Sequence, residues 1–245
     1  MIKAYAKTDK GKVREMNQDY YYISDSLDDV KLFILADGMG GYNGGEIASQ
    51  LAVTTAKNYI ENNFKDIEKD RESIIQLLGS SMEYANMVVY EKSKEKPELE
   101  GMGTTLEICL IYNNKAFIGH VGDSRIYRIR NQFIRKLTQD HSYVQKLVKE
   151  GTITKEQATH HPQKNMLMKA LGCNAFVEPD VMVKGFLKED IIVMCTDGLT
   201  NMVGQETIYE LATQKDIEKA PKDLVGLAND NGGYDNITVI VIKNI

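Results

Sequence analysis

Short apolar runs recur along the chain, each bounded by turn residues: 31–36, 106–112, 115–121, 126–129, 191–196 and 237–242. They are rich in Ile, Val, Leu and Phe, which predicts strands. Asn113-Asn114 separates one pair of runs and Asn131-Gln132 another. Asn tolerates positive φ, so these junctions predict tight hairpins and antiparallel pairing. Two stretches carry the helical period instead. Between 46 and 64 the apolar positions are Ile47, Leu51, Ala52, Ala56, Tyr59 and Ile60; between 71 and 92 they are Ile74, Ile75, Leu78, Met82, Ala85 and Val89. A shorter helix is expected over 143–150, ended by Gly151. Thr154-Lys155-Glu156-Gln157 has the form of a capping box that starts another, and late helices are expected over 206–214 and 222–229. The charged stretch 93–101 reads as a surface connection. With no fixed-period repeat and no linker-like tract, the pattern predicts one domain over 1–245. Grouped helices with hairpin-linked strands point to an α+β layered fold rather than alternating α/β.

Composition narrows the functions. Of 245 residues, 42% are hydrophobic, enough for a sizeable core, and 27% are charged, which argues against long disordered regions. The net charge of −5 disfavours nucleic acid or an anionic membrane as main partner, because both reward concentrated Lys and Arg. The apolar runs are too short to span a bilayer, and residues 1–8 lack the apolar core of a signal peptide. Cys109, Cys173 and Cys195 are odd in number and far apart. Cys109 and Cys195 lie in apolar runs and read as buried thiols, so a reducing, cytoplasmic compartment is expected.

The candidate chemistry lies where the strands end. Runs 32–36 and 191–196 lead into Asp37-Gly38 and Asp197-Gly198, and Val121-Gly122 leads into Asp123. Asp19 precedes Tyr20-Tyr21-Tyr22-Ile23, and Asp235 precedes the last strand. An isolated Asp-Gly after a strand is ordinarily a turn; five strand-end aspartates suggest one shared edge. Two carboxylates about 4 Å apart repel by roughly 4 kcal/mol at an effective dielectric of about 20. Such a group must be protonated, splayed apart or metal-bound. Oxygen-only ligands suit Mg²⁺ or Mn²⁺, and no His or Cys pair has zinc spacing; His160-His161 reads as a loop or helix end. The glycine-rich segment 37–45 fails the dinucleotide-loop spacing, since Asn43 takes the third Gly position, and no Lys-Ser or Lys-Thr follows for a P-loop. Asp37 and the Gly38 carbonyl as metal ligands, with glycines allowing close approach, account for it better.

Further short motifs frame these aspartates: 11–19 (Gly-Lys-Val-Arg-Glu-Met-Asn-Gln-Asp), 37–41 (Asp-Gly-Met-Gly-Gly), Gly103-Thr104-Thr105, Gly122-Asp123-Ser124-Arg125, 137–142 (Leu-Thr-Gln-Asp-His-Ser), 196–199 (Thr-Asp-Gly-Leu) and 235–238 (Asp-Asn-Ile-Thr). In this order they resemble the protein phosphatase 2C family, the metal-dependent Ser/Thr phosphatases, in its compact bacterial form. The resemblance runs through nearly the whole chain. It implies a four-layer α-β-β-α sandwich of two antiparallel sheets flanked by helices, with a centre of two Mn²⁺ or Mg²⁺ ions at one end. By position, Asp37 would bridge the ions and Gly38 would offer its carbonyl, while Asp19, Asp197 and Asp235 complete the ligands. Asp123, with Asp197, would hold a third ion. Arg14 would grip the substrate phosphate; Arg14, Asp37 and Asp197 are thus the expected catalytic residues.

The implied reaction is hydrolysis of phosphoserine and phosphothreonine in proteins by a metal-activated water, opposing a cognate Ser/Thr kinase. Phosphate monoesters hydrolyse very slowly alone, and two metals can present an activated water in line with phosphorus. A cytoplasmic monomer is expected, with a flap over about 140–177. Two departures stand out. Animal members have a His after the Asp-Gly, where this chain, like bacterial members, has Met39. Gln18 stands where many relatives have Glu, and is not taken as a ligand; His141 is a candidate substitute acid, with a structural role in the flap favoured. The alternatives are a phosphatase dedicated to one regulator and a non-catalytic binding module of the same fold. A module of that kind should lose metal aspartates, and all five are present.

Overall fold

The computed structural model describes residues 1–24, 30–40 and 44–245. Residues 41–43 of the glycine-rich segment therefore lie outside the described residues. In chain order, β1 (Ile2–Asp9), β2 (Asp19–Ile23) and β3 (Lys31–Met39) precede the long helices α1 (Gly44–Asn63) and α2 (Arg71–Lys94). Then come β4 (Gly103–Thr104), β5 (Leu106–Tyr112), β6 (Lys115–Val121), β7 (Arg125–Arg130) and β8 (Phe133–Lys136). Two short helices follow, α3 (Tyr143–Lys149) and α4 (Lys155–Thr159), and then β9 (Asp180–Gly185) and β10 (Ile191–Cys195). The chain finishes with α5 (Asp197–Thr200), α6 (Gln205–Ala212), α7 (Ala220–Asp230) and β11 (Ile237–Asn244).

Among the described residues the strands form two antiparallel sheets, in the orders β1-β11-β10-β7-β8 and β2-β3-β5-β6-β9, with β4 paired to β3. Side chains alternate across each strand. On β3, Phe33 and Leu35 meet Cys109, Ile118, Ile192, Met194 and Ile240 between the sheets. Leu32, Ile34 and Ala36 face the other way, into a core with Ala52, Ala56, Leu78 and Met82 of α1 and α2. The outer face of the first sheet is covered by Leu199, Ile208, Leu224 and Ala228 of α5, α6 and α7. Strands covered on both faces explain the unbroken apolar runs. The expected four-layer α-β-β-α sandwich is the observed architecture.

Both hairpin junctions turn as expected. Asn113 and Asn114 have φ of 46° and 56°, and Asn131 and Gln132 have 49° and 66°, the left-handed pair of a type I′ turn. The Asn113-Asn114 turn sets the β5–β6 register and so places Glu107 opposite His120. Asp70 and Ser142 cap α2 and α3, and Thr154 with Gln157 closes the capping box of α4.

Several boundaries differ from the sequence reading. β3 continues past Ala36 to Met39, because Gly38 and Met39 pair with Thr104 and Gly103. Asp197 opens a helix of four residues rather than a simple turn. The stretch 93–101 is not wholly a surface connection: Leu99 is buried in the helix-side core. β1 and β9 carry no continuous apolar run, being half-buried at sheet edges. Among the described residues, no helix is long and apolar enough to cross a membrane.

Candidate metal centre

The topology gathers the strand-end aspartates. Asp19 opens β2 directly opposite Asp37 on β3. Asp123 lies in the β6–β7 turn, Asp197 follows β10, and Asp235 stands two residues before β11. The Asp37 carboxyl experiences the charges of Asp19, Asp197, Asp123 and Asp235, so the five meet as one electrostatic group. Burial and then these neighbours raise Asp37 well above the ordinary carboxylate range. Asp19 is pushed up to about 7, first by burial, then by Asp197 and Asp235, against opposing hydrogen bonds from Thr238 and Thr196. Asp123 is pushed up to about 8, by burial and then by Asp197. Burial and Asp235 also raise Asp197. Without a cation these groups resist ionising together.

Four of the five aspartates are held by neighbouring groups. Thr238 and Thr196 donate their hydroxyls to Asp19 Oδ2 at 2.6 and 3.0 Å. Thr238 spends its proton on Asp19, so its 2.7 Å contact with Thr8 takes the proton from Thr8. Asp37 is fixed through its backbone: its N–H donates to Thr105 Oγ1 at 3.0 Å, and its carbonyl accepts from Thr104 Oγ1 and the Thr105 N–H, both at 2.9 Å. Asn201 donates to Asp197 Oδ2 at 3.0 Å. Arg14 donates to Asp235 Oδ2 at 2.8 Å, at the exposed rim. Gly38 is enclosed by backbone: a Cβ there would collide with the Gly45 carbonyl and stand 2.6 Å from that of Gln18. Only glycine fits this approach of β3 to the start of α1.

Gln18 serves as a brace. Its carbonyl accepts from the Gly38 N–H and the Ser49 hydroxyl, and its N–H donates to Asn236 Oδ1. His141 is tied to β9: its Nε2 lies 3.3 Å from Asp180 Oδ2, and its ring stacks on that of His120 with centroids 4.6 Å apart. Sequence reasoning missed what lies behind the aspartates. Glu107 and His120 are fully buried and joined at 3.0 Å. His120 Nε2 donates to the Gln139 carbonyl at 2.9 Å, and Thr105 donates to Glu107 at 3.2 Å. Burial pushes Glu107 up; for His120 burial pulls down, but the Glu107 carboxylate outweighs it and raises the imidazole. The signal was a charged residue inside each of two runs that otherwise read as core strands. The threonine clamp left no comparable trace.

The donor set fits a hard divalent cation. All five side chains offer carboxylate oxygen. Asp19 Oδ1 is buried with no hydrogen-bond partner, an arrangement that water-free protein tolerates poorly. Among the described residues, no three His, Cys, Asp or Glu side chains are drawn close enough to form a finished cage around one ion. One oxygen of Asp197 and one of Asp235 are instead engaged by Asn201 and Arg14. The fit therefore rests on shared charge and donor chemistry.

Residues 10–233 match the family described as Protein phosphatase 2C. The serine/threonine phosphatase stp of Listeria monocytogenes is 36% identical over 97% of this chain and 94% of its own. A solved serine/threonine phosphatase of S. agalactiae superposes with a TM-score of 0.92 at 37% identity, covering all of both chains. The catalytic domain of the phosphatase PstP, solved in complex with two manganese ions, superposes with a TM-score of 0.86 at 33% identity, over 99% of this chain and 97% of that one.

Proposed function

The chain belongs to the protein phosphatase 2C family, and from that membership we propose how its residues divide the work. It is a metal-dependent phosphatase of phosphoserine and phosphothreonine in proteins. Asp37, the Gly38 carbonyl, Asp19, Asp197 and Asp235 would hold two Mn²⁺ or Mg²⁺ ions, and Asp123 with Asp197 would hold a third. When bound, the cations polarise the phosphoryl group and make water acidic enough to attack it near neutral pH. The chain positions everything else. Thr196 and Thr238 pin one oxygen of Asp19 and leave the other free to ligate. Thr104 and Thr105 hold the Asp37 backbone, so its carboxylate starts from a fixed strand. Arg14, at the rim, holds phosphate oxygens with its planar guanidinium. Met39 has no proton to give, so the leaving serine or threonine oxygen takes its proton from water in the open cleft.

The observation that carries this assignment is the convergence of four aspartates, Asp19, Asp123, Asp197 and Asp235, on Asp37. Asp37→Ala and Asp197→Ala are expected to abolish hydrolysis of p-nitrophenyl phosphate and of a phosphothreonine peptide, with a cooperative thermal melt retained. Manganese-dependent turnover surviving in either variant would remove the ligand assignment.

The same reading extends to context. Residues 1–245 act as one catalytic domain, with 140–177 as a flap beside the site. The buried free thiols Cys109 and Cys195 suit a reducing cytoplasm. Because every site residue comes from one chain, a monomer suffices, which light scattering of the purified protein checks. The partner is a cognate Ser/Thr kinase; co-expression that leaves that kinase's phosphorylation unchanged would count against the pairing.

A further inference from the structure

Beside the metal centre, a cleft of about 530 Å³ runs from Asp123 and Asp197 to the segment carrying α3 and α4. Four cationic side chains line it: Arg125, Lys136, Lys155 and Lys164. Apart from Asp123 and Asp197, its one carboxylate among the described residues is Asp140. Asp140 is already shared, by Arg125 at 2.7 Å and Lys136 at 3.0 Å. Lys155 and Lys164 are exposed and, among the described residues, paired with no carboxylate. Burial chiefly, and repulsion from Arg125 and Lys155, hold Lys136 below its ordinary value against the pull of Asp140; with Asp140 shared by Arg125 and Lys136, Lys155 and Lys164 are the cleft's unpaired cations among the described residues. In a chain of net charge −5 this is a local exception.

The wall that carries the two free lysines is anchored. Tyr143 N–H donates to the Met166 carbonyl at 2.8 Å and Met168 N–H to the His141 carbonyl at 2.7 Å. Further on, Gly172 N–H donates to Asn86 Oδ1 of α2 at 2.9 Å. Lys155 and Lys164 thus face a cleft of defined shape. A phosphoserine or phosphothreonine seated over the aspartates places its neighbouring residues, at about 3.3 Å per residue, along that cleft.

We propose that the cleft is a subsite for an anionic side chain flanking the scissile phosphoresidue, a second phosphate or a carboxylate, held by Lys155 and Lys164 with Lys136 behind them. The proposal rests on the phosphatase reading above and deepens it by naming a substrate class: acidic or multiply phosphorylated segments. Lysines act here as point charges, so attraction falls as salt rises.

The test compares wild type with the double variant Lys155→Gln/Lys164→Gln. Both sites are exposed, so folding should be unaffected. Substrates are p-nitrophenyl phosphate and three phosphothreonine peptides with neutral, Glu or second-phosphothreonine flanks. Binding is read twice: as KM for hydrolysis, and as the dissociation constant of labelled peptide by fluorescence anisotropy in chelator, where no turnover occurs. Wild type is expected to favour anionic flanks by roughly three- to tenfold, the size of two partly exposed charge pairs. The double variant should lose that preference while its rate on p-nitrophenyl phosphate stays unchanged. Preference for both anionic peptides identifies charge as the feature read; preference for the doubly phosphorylated one alone identifies phosphate. Equal preference in wild type and variant, or none in wild type, overturns the proposal. A protein inert toward every substrate would strike the phosphatase reading instead, and the anisotropy contrast would still decide the cleft.

Discussion

Removing either member of the Glu107–His120 pair should damage the protein more than removing both damages it in proportion. Each side chain is fully buried, and they meet at 3.0 Å. Glu107→Ala takes the acceptor from His120 Nδ1 and from Thr105. His120→Ala leaves a buried carboxylate with its strongest partner gone and frees the Gln139 carbonyl. Breaking one side of a buried pair costs about 3–5 kcal/mol, since an uncompensated charge remains. With both gone, no buried charge is left and the cost is that of the cavities. The double variant is therefore expected to lie about 2–3 kcal/mol above additivity. Urea unfolding followed by circular dichroism measures the cycle, and an unchanged m-value shows that the same transition is compared. Total stability of about 5–15 kcal/mol leaves room for this; if an alanine variant does not fold, Glu107→Gln with His120→Asn gives a milder cycle. Additivity within about 0.5 kcal/mol would refute the view of one coupled pair.

Three further outcomes follow. Gly38→Ala places a methyl group against the Gly45 and Gln18 carbonyls; a loss of about 1–3 kcal/mol or more is expected, with weakened Mn²⁺ binding by calorimetry, and unchanged stability would contradict the close approach. Arg14→Ala should raise KM for p-nitrophenyl phosphate roughly tenfold or more, the worth of a hydrogen bond to a charged group, with Mn²⁺ affinity little altered; a wild-type KM would refute the phosphate role. Asp19 at about 7 and Asp123 at about 8 lie above the unfolded carboxylate value near 3.9. The folded, metal-free protein then holds protons that the unfolded chain releases. Their contribution to stability is present at low pH and is lost as pH rises through 7 to 8. Thermal melts in chelator should fall between about pH 5 and pH 8, between the unfolded and folded values, and level off above; added Mn²⁺ should reverse the fall, and a flat or rising profile over that interval would contradict the raised carboxylates.

What could be read from the sequence divides along physical lines. β3, β5, β6, β10 and β11 announced themselves because both faces are covered, which leaves unbroken apolar runs. β1 and β9 sit at sheet edges, half exposed, and their mixed sequences carry no such run. The four-residue α5 is shorter than any periodicity can show. The aspartates were legible because a carboxylate at the end of an apolar strand is conspicuous and the motif order is specific. Their mutual approach was not, since it depends on how distant strands stack. Thr8, Thr196 and Thr238 look like ordinary strand or turn residues, and only the folded chain reveals that two of them pin Asp19. Glu107 and His120 could have been paired in advance: the two-residue turn at Asn113-Asn114 fixes a register that sets them side by side.

The most direct measurement of the central claim is an anomalous-scattering map from crystals grown with Mn²⁺. Two peaks about 3.5–4 Å apart, both in contact with Asp37, with Asp19, Asp197, Asp235 and the Gly38 carbonyl around them, are the expected result. Manganese bound only elsewhere on the chain, with no peak touching Asp37, would contradict it.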